Sequence, residues 1–486
     1  MYFLSFQTIA NIIFAIVIVS FGRKSPASMW AWLLVALLVP YVGFALYILI
    51  GLDGRRYRNF AEKARKDEAS TAELWGLNYE TLDFVRNQRE FVAKKNVLTV
   101  PQVPRLGDLA HLNFAGGSGA LSDNNAVGLY YEGEDMFSDL IKDIENAQTF
   151  VHLLYYIFHS DATGKRVIAA LTEKAKQGAD VRLLLDGMGC WDTNLSVFKE
   201  FKKAGGKLCR FLPPYFMRVN FRNHRKIAVI DGKIGYLGGL NIGDEYKGAS
   251  KRFGHWRDTH MRIAGGAVKA LELRFILDWN FSAKNHPIDF KPQYFPISVQ
   301  PAEKGVNMQI VSSGPDTKWG YIHYSFNKMI HEAERNIYIQ TPYFSPDDSI
   351  LEALKIAALA GADVRVIIPG KPDHPFVYWA SLSYLGDLLA AGGRAYRYEK
   401  GFLHGKTITI DGVASSVGTA NMDVRSFKLN FEVNAFIYDQ PLTEQLDRRF
   451  MLDLSDCTEI TYESYLRRGV FTRMREAVSR LLSPLL

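Results

Sequence analysis

The sequence predicts an α/β protein of two similar lobes, preceded by an apolar hairpin of two helices. The motif His-x-Lys-x4-Asp stands at residues 224–231 and again, 180 residues later, at 404–411. A Gly-Ala-Asp-Val-Arg block leads into an apolar run before each copy, at 178–187 and at 361–370. Because the flanks match as well as the motifs, the chain contains a duplicated lobe. Two uncharged stretches near the N-terminus predict the hairpin.

Within each lobe, strand-like apolar runs alternate with helical stretches. In the first lobe the run at 150–158 precedes a helical stretch to residue 177 and the strand VRLLLD, and the second lobe repeats this order with VRVIIP. The alternation predicts an α/β sandwich in each lobe. Gly, Ser, Asp and Asn residues at 114–125 predict a loop ahead of the first sandwich. The predicted domains are a transmembrane hairpin at 1–54, a charged linker with peripheral helices at 55–110, a first lobe at 111–295, and a second lobe with a basic amphipathic C-terminal helix at 296–486.

The motif residues have the chemistry of a phosphate site. The histidine and lysine of each copy are two residues apart beside a β-prone run, so on a strand they would project from the same face. An asparagine follows each histidine by 17 positions in a Gly-rich turn. An imidazole, an ammonium group and an amide donor together suit a phosphate oxyanion. The two sets are His224, Lys226 and Asn241, and His404, Lys406 and Asn421.

Duplication of the set predicts one composite site. With an imidazole on either side of a phosphorus atom, one can attack while the other protonates the leaving oxygen, through a covalent phosphohistidine. A single copy of so short a motif would be equally compatible with a histidine that only caps a strand. Two copies with matched flanks favour the catalytic interpretation.

These segments resemble the phospholipase D superfamily and, within it, the bacterial cardiolipin synthases. The similar stretches are NFRNHRKIAVIDGKIGYLGGLNIGDEY, HWRDTHMRIAG, TPYFS, GFLHGKTITIDG and VGTANMDVRSFKLNFEVNAFIYD. The resemblance implies two phospholipase D-like lobes about a pseudo-two-fold axis, with the active site at their seam. It also implies a phosphatidyltransferase that forms cardiolipin and glycerol from two phosphatidylglycerols, without a cofactor. By family analogy His224 is the nucleophile and His404 the general acid and base.

The resemblance also implies carboxylates that hold the histidines. Glu432 fits this role for the second-lobe histidine, and Asp258 is the best match for the first-lobe histidine. Their distances along the chain from those histidines differ, at 28 and 34 residues. The motif aspartates, Asp231 and Asp411, join the catalytic set as orienting groups.

Composition limits the classes of partner and of metal chemistry. A net charge of +7 and a pI of about 9.0 suit an anionic substrate or surface, lipid or nucleic acid. The three cysteines, Cys190, Cys209 and Cys457, are far apart, which favours free thiols in a reducing compartment. No cluster of acidic and histidine residues has metal-ligand spacing, so no metal is expected.

The N-terminal stretches at 4–21 and 28–50 predict a membrane anchor. The second would span about 34 Å as a helix, enough to cross a bilayer. The first is shorter, but it has no positive n-region and no cleavage-like site, which disfavours a signal peptide. Six cations between residues 55 and 66 follow the second stretch, against Arg23 and Lys24 in the turn. The positive-inside rule therefore predicts a multi-pass protein of the bacterial cell membrane, with its lobes in the cytoplasm.

Several alternatives stay open at the level of sequence. A phospholipase D would transfer the same phosphatidyl group to water, and a nuclease would take nucleic acid. The hairpin disfavours a nuclease, and intact motifs disfavour a lipid-binding protein without activity. The C-terminal helix suits either a membrane surface or packing on the second lobe. Aromatic residues such as Tyr156 and Tyr343 suit a core better than an acyl channel. Arg218 and Arg222 suit either a solvated loop or a headgroup contact. The oligomeric state is open, a homo-oligomer included.

Overall fold

The structure, a computed structural model, describes residues 54–77, 80–94, 103–117, 119–212, 220–296 and 305–483, with isolated positions between 12 and 43 and between 96 and 100. The predicted membrane stretches, at 4–21 and 28–50, lie outside the described residues except at those isolated positions. Within the described part of the chain, no helix has both the length and the apolar character that a bilayer crossing requires.

The chain divides into two compact units, each considered by itself. One comprises Met1–Ser70 and Pro315–Thr317, and the other comprises Thr71–Gly314 and Lys318–Leu486. The second unit holds both motif copies. The helices are α1 (Gly54–Gly76), α2 (Asp83–Ala93), α3 (Gly107–Gly117), α4 (Gly133–Asn146), α5 (Ala162–Lys176), α6 (Lys199–Lys203), α7 (Val268–Ser282), α8 (Tyr321–Glu332), α9 (Asp348–Leu359), α10 (Pro375–Ala390), α11 (Val424–Lys428), α12 (Gln440–Leu454), α13 (Tyr462–Leu466) and α14 (Val470–Leu482).

All named strands lie in the second unit. Those before residue 300 are β1 (Ser122–Tyr130), β2 (Phe150–Tyr155), β3 (Asp180–Asp186), β4 (Lys207–Phe211), β5 (Arg222–Asn223), β6 (Ile227–Ile230), β7 (Ile234–Gly238), β8 (His255–Arg257) and β9 (His260–Ala264). Those after it are β10 (Val306–Ser313), β11 (Asn336–Gln340), β12 (Phe344–Ser345), β13 (Asp363–Pro369), β14 (Arg394–Tyr398), β15 (Gly401–Leu403), β16 (Thr407–Ile410), β17 (Ala414–Gly418), β18 (Met422–Asp423), β19 (Asn430–Ile437) and β20 (Cys457–Ile460).

The strand order repeats between the two halves of one large sheet. From its edge the first half runs β4-β3-β2-β6-β7-β9-β1, and the second runs β14-β13-β11-β16-β17-β19-β10, with β20 added outside β14. The halves join where β1 and β10 pair antiparallel. In each half three parallel strands adjoin an antiparallel group. The duplication seen in the sequence is thus a duplication of topology.

Helices cover both faces of the sheet in each half. The residues of β2 are buried throughout, as expected for a strand covered on both sides. Val151, Leu153 and Tyr155 pack with α4 and α5 on one face, and α7 lies on the other face of β2 and β6. Equivalent helices begin at matched caps, because Asp161 and Asp347 each accept from a backbone N–H in the first turn of α5 and α9. The fold is therefore the predicted mixed α/β sandwich.

One local prediction is wrong. Residues 114–125 do not form a continuous loop, because α3 extends to Gly117 and β1 begins at Ser122. Their small and polar side chains fit a loop, but Asn125 is buried and its amide donates to the Val306 carbonyl of β10. Sheet pairing between the halves outweighs the local preference of these residues.

Candidate active site

Each motif histidine follows a short strand that pairs with the opposite lobe. In β5, Asn223 lies opposite Phe431 of β19 in a parallel pair. The backbone N–H of His224 continues the ladder and donates to the Phe431 carbonyl at 2.9 Å. In the same way β15 pairs with β8, and the N–H of His404 donates to the Arg257 carbonyl at 2.7 Å. Each histidine is therefore held by a strand of the lobe that does not carry it.

The residue after each of these carbonyl groups is a buried carboxylate. His224 Nδ1 lies 3.0 Å from Glu432 Oε2, and His404 Nδ1 lies 2.7 Å from Asp258 Oδ2. The expectation that Glu432 holds the histidine of its own lobe, and Asp258 that of the first lobe, is wrong. The two pairs are crossed, because the strand that leads into each histidine pairs across the seam.

Asp258 and Glu432 nevertheless occupy equivalent positions in their lobes. In the β7–β9 pair Gly238 lies opposite His260, and in the β17–β19 pair Gly418 lies opposite Asn434. Asp258 stands two residues before His260, and Glu432 stands two residues before Asn434. The six additional residues in the first lobe lie between Asn241 and Asp258, where a 3-10 turn at Asp244–Lys247 and a loop are inserted.

Burial and the crossed carboxylates fix the state of the histidines. Each side chain is only 11% exposed. Burial lowers the pKa of both imidazoles to about 4, with the neighbouring lysine charges adding to the shift and the carboxylates opposing it. Burial also works to raise the pKa of the Glu432 and Asp258 carboxyls, but the histidine and lysine charges outweigh it and hold that pKa low. Near neutral pH, Nδ1–H donates to an ionised carboxylate and Nε2 keeps its lone pair.

The motif residues lie in a link between strands, rather than on a strand as expected. Residues 224–226 connect β5 to β6, and residues 404–406 connect β15 to β16. Within these links Lys226 Nζ donates to the His224 carbonyl at 2.8 Å, and Lys406 Nζ donates to the His404 carbonyl at 2.6 Å. The contact brings each ammonium group back beside its own histidine.

The two lysines form a buried positive centre. Burial, together with the charge of Lys406, lowers the pKa of Lys226 to about 7. Burial likewise lowers the pKa of Lys406 to about 8, against the opposing charges of the site carboxylates. Two buried ammonium groups that repel each other are stabilised by an anion bound beside them. The arrangement therefore combines two neutral imidazoles with a cationic anion-binding centre.

Residues 140–247 and 326–454 match the family model described as cardiolipin synthase, PLD-like domain. The cardiolipin synthase of Listeria monocytogenes serotype 4a is 46% identical, over 100% of this chain and 99% of its own length. The major cardiolipin synthase of Bacillus subtilis (strain 168) is also 46% identical, over 99% of this chain and 98% of its own length. The chain belongs to the cardiolipin synthase family.

Two further comparisons concern the fold and the N-terminal segment. The phosphatidylserine synthase of Haemophilus influenzae Rd KW20 superposes with a TM-score of 0.59 at 12% identity, over 75% of this chain and 97% of its own, which shows a shared fold. Residues 9–51 match the model described as phospholipase D-nuclease N-terminal. With the family model and the 46%-identical cardiolipin synthases, the chain is an enzyme of the phospholipase D superfamily.

The motif aspartates of this cardiolipin synthase family member do not orient the histidines, and that expectation is wrong. The Asp231 carboxylate accepts from the N–H groups of Gln148, Thr149 and Phe150, at the start of β2. Asp411 accepts from the matching N–H groups of residues 334–336, at the start of β11. Asp231 directly follows β6, and Asp411 directly follows β16, at the end of each strand that is remote from the histidines. Both aspartates have a positive φ, at 52° and 54°. They tie two strands together at a turn.

The asparagines have partners within the protein. Asn241 Oδ1 accepts from the Ile157 N–H at 3.1 Å, which joins the turn after β7 to the end of β2. Asn421 Nδ2 donates to Asp423 Oδ2 at 3.2 Å, and both asparagines are buried. Their predicted role in binding phosphate stays a prediction.

Several further residues touch the histidines or their carboxylates, and Tyr156, Trp256 and Thr419 are among them. The Tyr156 ring meets the His224 ring edge-on at 4.8 Å, and the Trp256 ring lies 5.0 Å from the His404 ring. Thr419 Oγ1 donates to Glu432 at 2.5 Å. The sequence gave little indication that Tyr156 and Trp256 lie beside the histidines, because neither aromatic residue has a counterpart in the other lobe. Arg218 lies outside the described residues, and Arg222 donates to the Tyr156 hydroxyl at 3.0 Å.

Proposed function

We propose that this chain makes cardiolipin and glycerol from two molecules of phosphatidylglycerol through a phosphohistidine intermediate. One observation carries the proposal: two buried imidazoles are each held at Nδ1 by a carboxylate of the opposite lobe, and the charges of two buried lysines act on both of them. Membership of the cardiolipin synthase family supports lipid as the substrate class. Hydrolysis to phosphatidic acid is the less favoured outcome for the same site.

The first step transfers the phosphatidyl group to the enzyme. His224 Nε2 attacks the phosphorus of the donor, a P–N bond forms, and the P–O bond to glycerol breaks. His404 donates a proton from Nε2 to the departing glycerol oxygen. The free imidazole of His404 has a pKa lowered by burial to about 4. The negative phosphodiester raises that pKa when it enters, because an adjacent anion favours the imidazolium form.

The second step returns the phosphatidyl group to a lipid. His404, now neutral, takes the proton of a hydroxyl on the glycerol of the second phosphatidylglycerol. That oxygen attacks the phosphorus, the P–N bond breaks, and His224 is restored. Glu432 stabilises the positive charge on His224 while the intermediate lasts, and Asp258 does the same for His404 in its protonated form.

The remaining site residues hold the phosphate. Lys226 and Lys406 supply two ammonium groups to the non-bridging oxygens, and no cofactor takes part in these steps. We assign the amides of Asn241 and Asn421 to the same oxygens. Stabilisation of this kind lowers the barrier only if the donors are fixed before reaction, and the burial of all four side chains supports that condition.

The predicted anchor and domain layout complete the proposal. Residues 1–54 form a two-helix membrane hairpin, 55–110 a linker, and 111–295 and 296–486 the two lobes, which face the cytoplasm of a bacterial cell. The match of residues 9–51 to an N-terminal family model supports a distinct segment there. Anchoring brings the site to its lipid substrates and away from nucleic acid.

The test is a product analysis with the purified full chain. Incubation with phosphatidylglycerol in mixed micelles should yield cardiolipin and glycerol in equal amounts. Matched reactions with His224→Ala and His404→Ala chains should yield no cardiolipin, and His404→Ala should release at most one glycerol per enzyme molecule. Phosphatidic acid as the main product would replace transfer with hydrolysis, and no lipid turnover would overturn the proposal.

A further inference from the structure

The C-terminal helix α14 packs along α10 through its polar side. Glu476, Ser479 and Ser483 are buried. The Ser483 hydroxyl lies 2.9 Å from the Tyr384 hydroxyl of α10, and Arg480 forms a salt bridge of 2.6 Å with Asp387. The helix is therefore attached to the second lobe through hydrogen bonds and ion pairs.

The apolar side of α14 faces solvent instead. Phe471 and Leu481 are each 80% exposed, Val470 is 71% exposed, and Met474 and Val478 are more than half exposed. At about 100° per residue, these five side chains fall within an arc of about 100°. A surface helix of a soluble domain normally buries such an arc. Helix α14 is oriented the opposite way, with its polar side buried and its apolar arc exposed. The exposed arc therefore does not contribute to the hydrophobic core of the lobe.

Arginines border the apolar arc on both sides. By the same helical geometry, Arg473 lies beyond one edge and Arg475 beyond the other. Neither forms a salt bridge with a carboxylate in the part of the chain that the structure describes. The Arg475 guanidinium lies 5.4 Å from the Trp379 ring of α10. Apolar side chains between two cationic edges match a bilayer surface, where the first enter the acyl region and the second meet phosphates.

The arc continues toward the candidate active site. Trp379 lies 5.7 Å from Phe376, which is half exposed in the first turn of α10. Asp373, just before that helix, accepts a hydrogen bond from the Tyr343 hydroxyl, and its charge acts on Lys406 of the site. Residues at the start of α10 therefore connect the apolar surface with Asp373, whose charge acts on Lys406.

We propose that the exposed face of α14, with Phe376 and Trp379, docks onto a bilayer that contains anionic phospholipid. This deepens the proposed function, because the docked surface would hold the site beside the headgroups of its substrates. A second copy of the chain is the less suitable occupant. Two such faces packed together about a two-fold axis would bring the arginine borders of both copies close to each other, whereas anionic lipid neutralises them.

The test measures the depth of one position in the membrane. A nitroxide label is placed at Met474→Cys in the full chain carrying Cys209→Ser and Cys457→Ser, while Cys190 is left in place because burial raises its thiol pKa to about 12. A matched chain carries the label at Leu359→Cys of α9, which is 72% exposed. The collision rates of the nitroxide with two reagents are measured in vesicles of phosphatidylglycerol and phosphatidylcholine. Collisions with oxygen report contact with lipid, and collisions with a water-soluble nickel chelate report contact with water.

The label at position 474 should lie about 5 to 10 Å below the phosphates, and the label at position 359 should stay in water. Replacement of Arg473 and Arg475 by Gln should reduce the depth in anionic vesicles more than in pure phosphatidylcholine. Equal water contact at both positions would overturn the proposal. Dipolar coupling between labels on two copies, without lipid contact, would indicate a dimer and would also overturn the proposal. Protection of the label from both lipid and water would indicate that the chain itself covers the surface, with the same consequence.

A kinetic arm separates this surface from the chemistry. A chain with the combined changes Phe471→Ser, Met474→Ser, Val478→Ser and Leu481→Ser should have a lower rate on phosphatidylglycerol in vesicles. Its rate on a short-chain phosphatidylglycerol that is dispersed as monomers should be unchanged. Equal loss on both substrates would contradict docking. Insertion of the label in a chain that forms no cardiolipin would sustain docking and reject the proposed function, and the converse result would do the opposite.

Discussion

His224 Nδ1 and Glu432 Oε2 are 3.0 Å apart, although 208 residues separate them along the chain and they belong to different lobes. The matching pair, His404 and Asp258, is separated by 146 residues and crosses the seam in the other direction. Neither lobe therefore holds its own histidine, and the two half-sites depend on each other.

The crossed histidine–carboxylate pairs predict which histidine each carboxylate variant should impair. Glu432→Gln should impair the role of His224, and Asp258→Asn that of His404, because an amide neither stabilises an imidazolium nor fixes the tautomer. Each change should lower the turnover of phosphatidylglycerol by on the order of 10² to 10⁴. In rapid-quench assays Glu432→Gln should slow the first release of glycerol, while Asp258→Asn should leave the phosphatidyl-enzyme to accumulate. The reverse assignment would mean that the carboxylates act within their own lobes.

The order of the histidines predicts where an intermediate can be trapped. A His404→Ala chain retains His224 and can still attack the donor slowly, but it lacks the base that activates the acceptor. Acid-quenched His404→Ala protein should therefore retain label from the acyl chains of phosphatidylglycerol but none from its glycerol headgroup. His224→Ala should retain neither label. An adduct found only on His224→Ala would transfer the nucleophile role to the second lobe.

The lysines predict a pH dependence for anion binding. Burial lowers the pKa of Lys226 to about 7 and that of Lys406 to about 8, so the empty site loses its ammonium charge as the pH rises through this range. Inhibition by sulfate, whose charge is constant there, should weaken by on the order of tenfold for each ammonium lost. In Lys406→Ala the remaining midpoint should move to higher pH, because the repulsion that lowers the pKa of Lys226 is gone. Sulfate inhibition that stays constant between pH 6 and 9 would refute this account.

The motif aspartates should govern stability rather than chemistry. Asp231→Asn removes a charged acceptor of three backbone N–H groups and should lower the free energy of unfolding by about 1 to 3 kcal/mol. Asp231→Ala should cost more, because alanine tolerates the positive φ of this position poorly. Chemical denaturation measures both changes. At temperatures where the variants stay folded, kcat should remain close to that of the parent chain, and a loss as large as that of a histidine variant would restore a catalytic role.

The close approach of Gly239 to Asp258 allows a steric test of the position of the Asp258 carboxylate. A Cβ at Gly239 would collide with the Asp258 carboxylate, whereas a Cβ at Gly128 of β1 would meet no atom within 4 Å. Gly239→Ala should therefore move Asp258 away from His404 and reduce turnover by on the order of tenfold to a hundredfold. Gly128→Ala serves as the matched control and should leave turnover unchanged. Normal activity in Gly239→Ala would show that the carboxylate position is not critical.

Much of this fold could be predicted because its signals are local and repeated. The runs at 150–158, 180–186 and 363–369 have strand composition, and their order recurs with the motifs, so the two sandwiches follow from periodicity. The loop predicted at 114–125 was wrong because sheet pairing with β10 determines the start of β1. Tyr156 and Trp256 were not identified as neighbours of the histidines, because each lies close to its histidine only after distant segments pack.

The sequence by itself determined the chemical groups of the site and their duplication, because a histidine and a lysine two residues apart stay together in any extended backbone. The strand registers of the structure, rather than spacing along the chain, established that Asp258 and Glu432 stand in equivalent places. Only the tertiary structure decided which carboxylate meets which histidine, and that Asp231 and Asp411 serve turns instead. Those choices depend on strands that pair across the seam, β5 with β19 and β15 with β8. Spacing along the chain measures neighbours in sequence and carries no information about such long-range pairing.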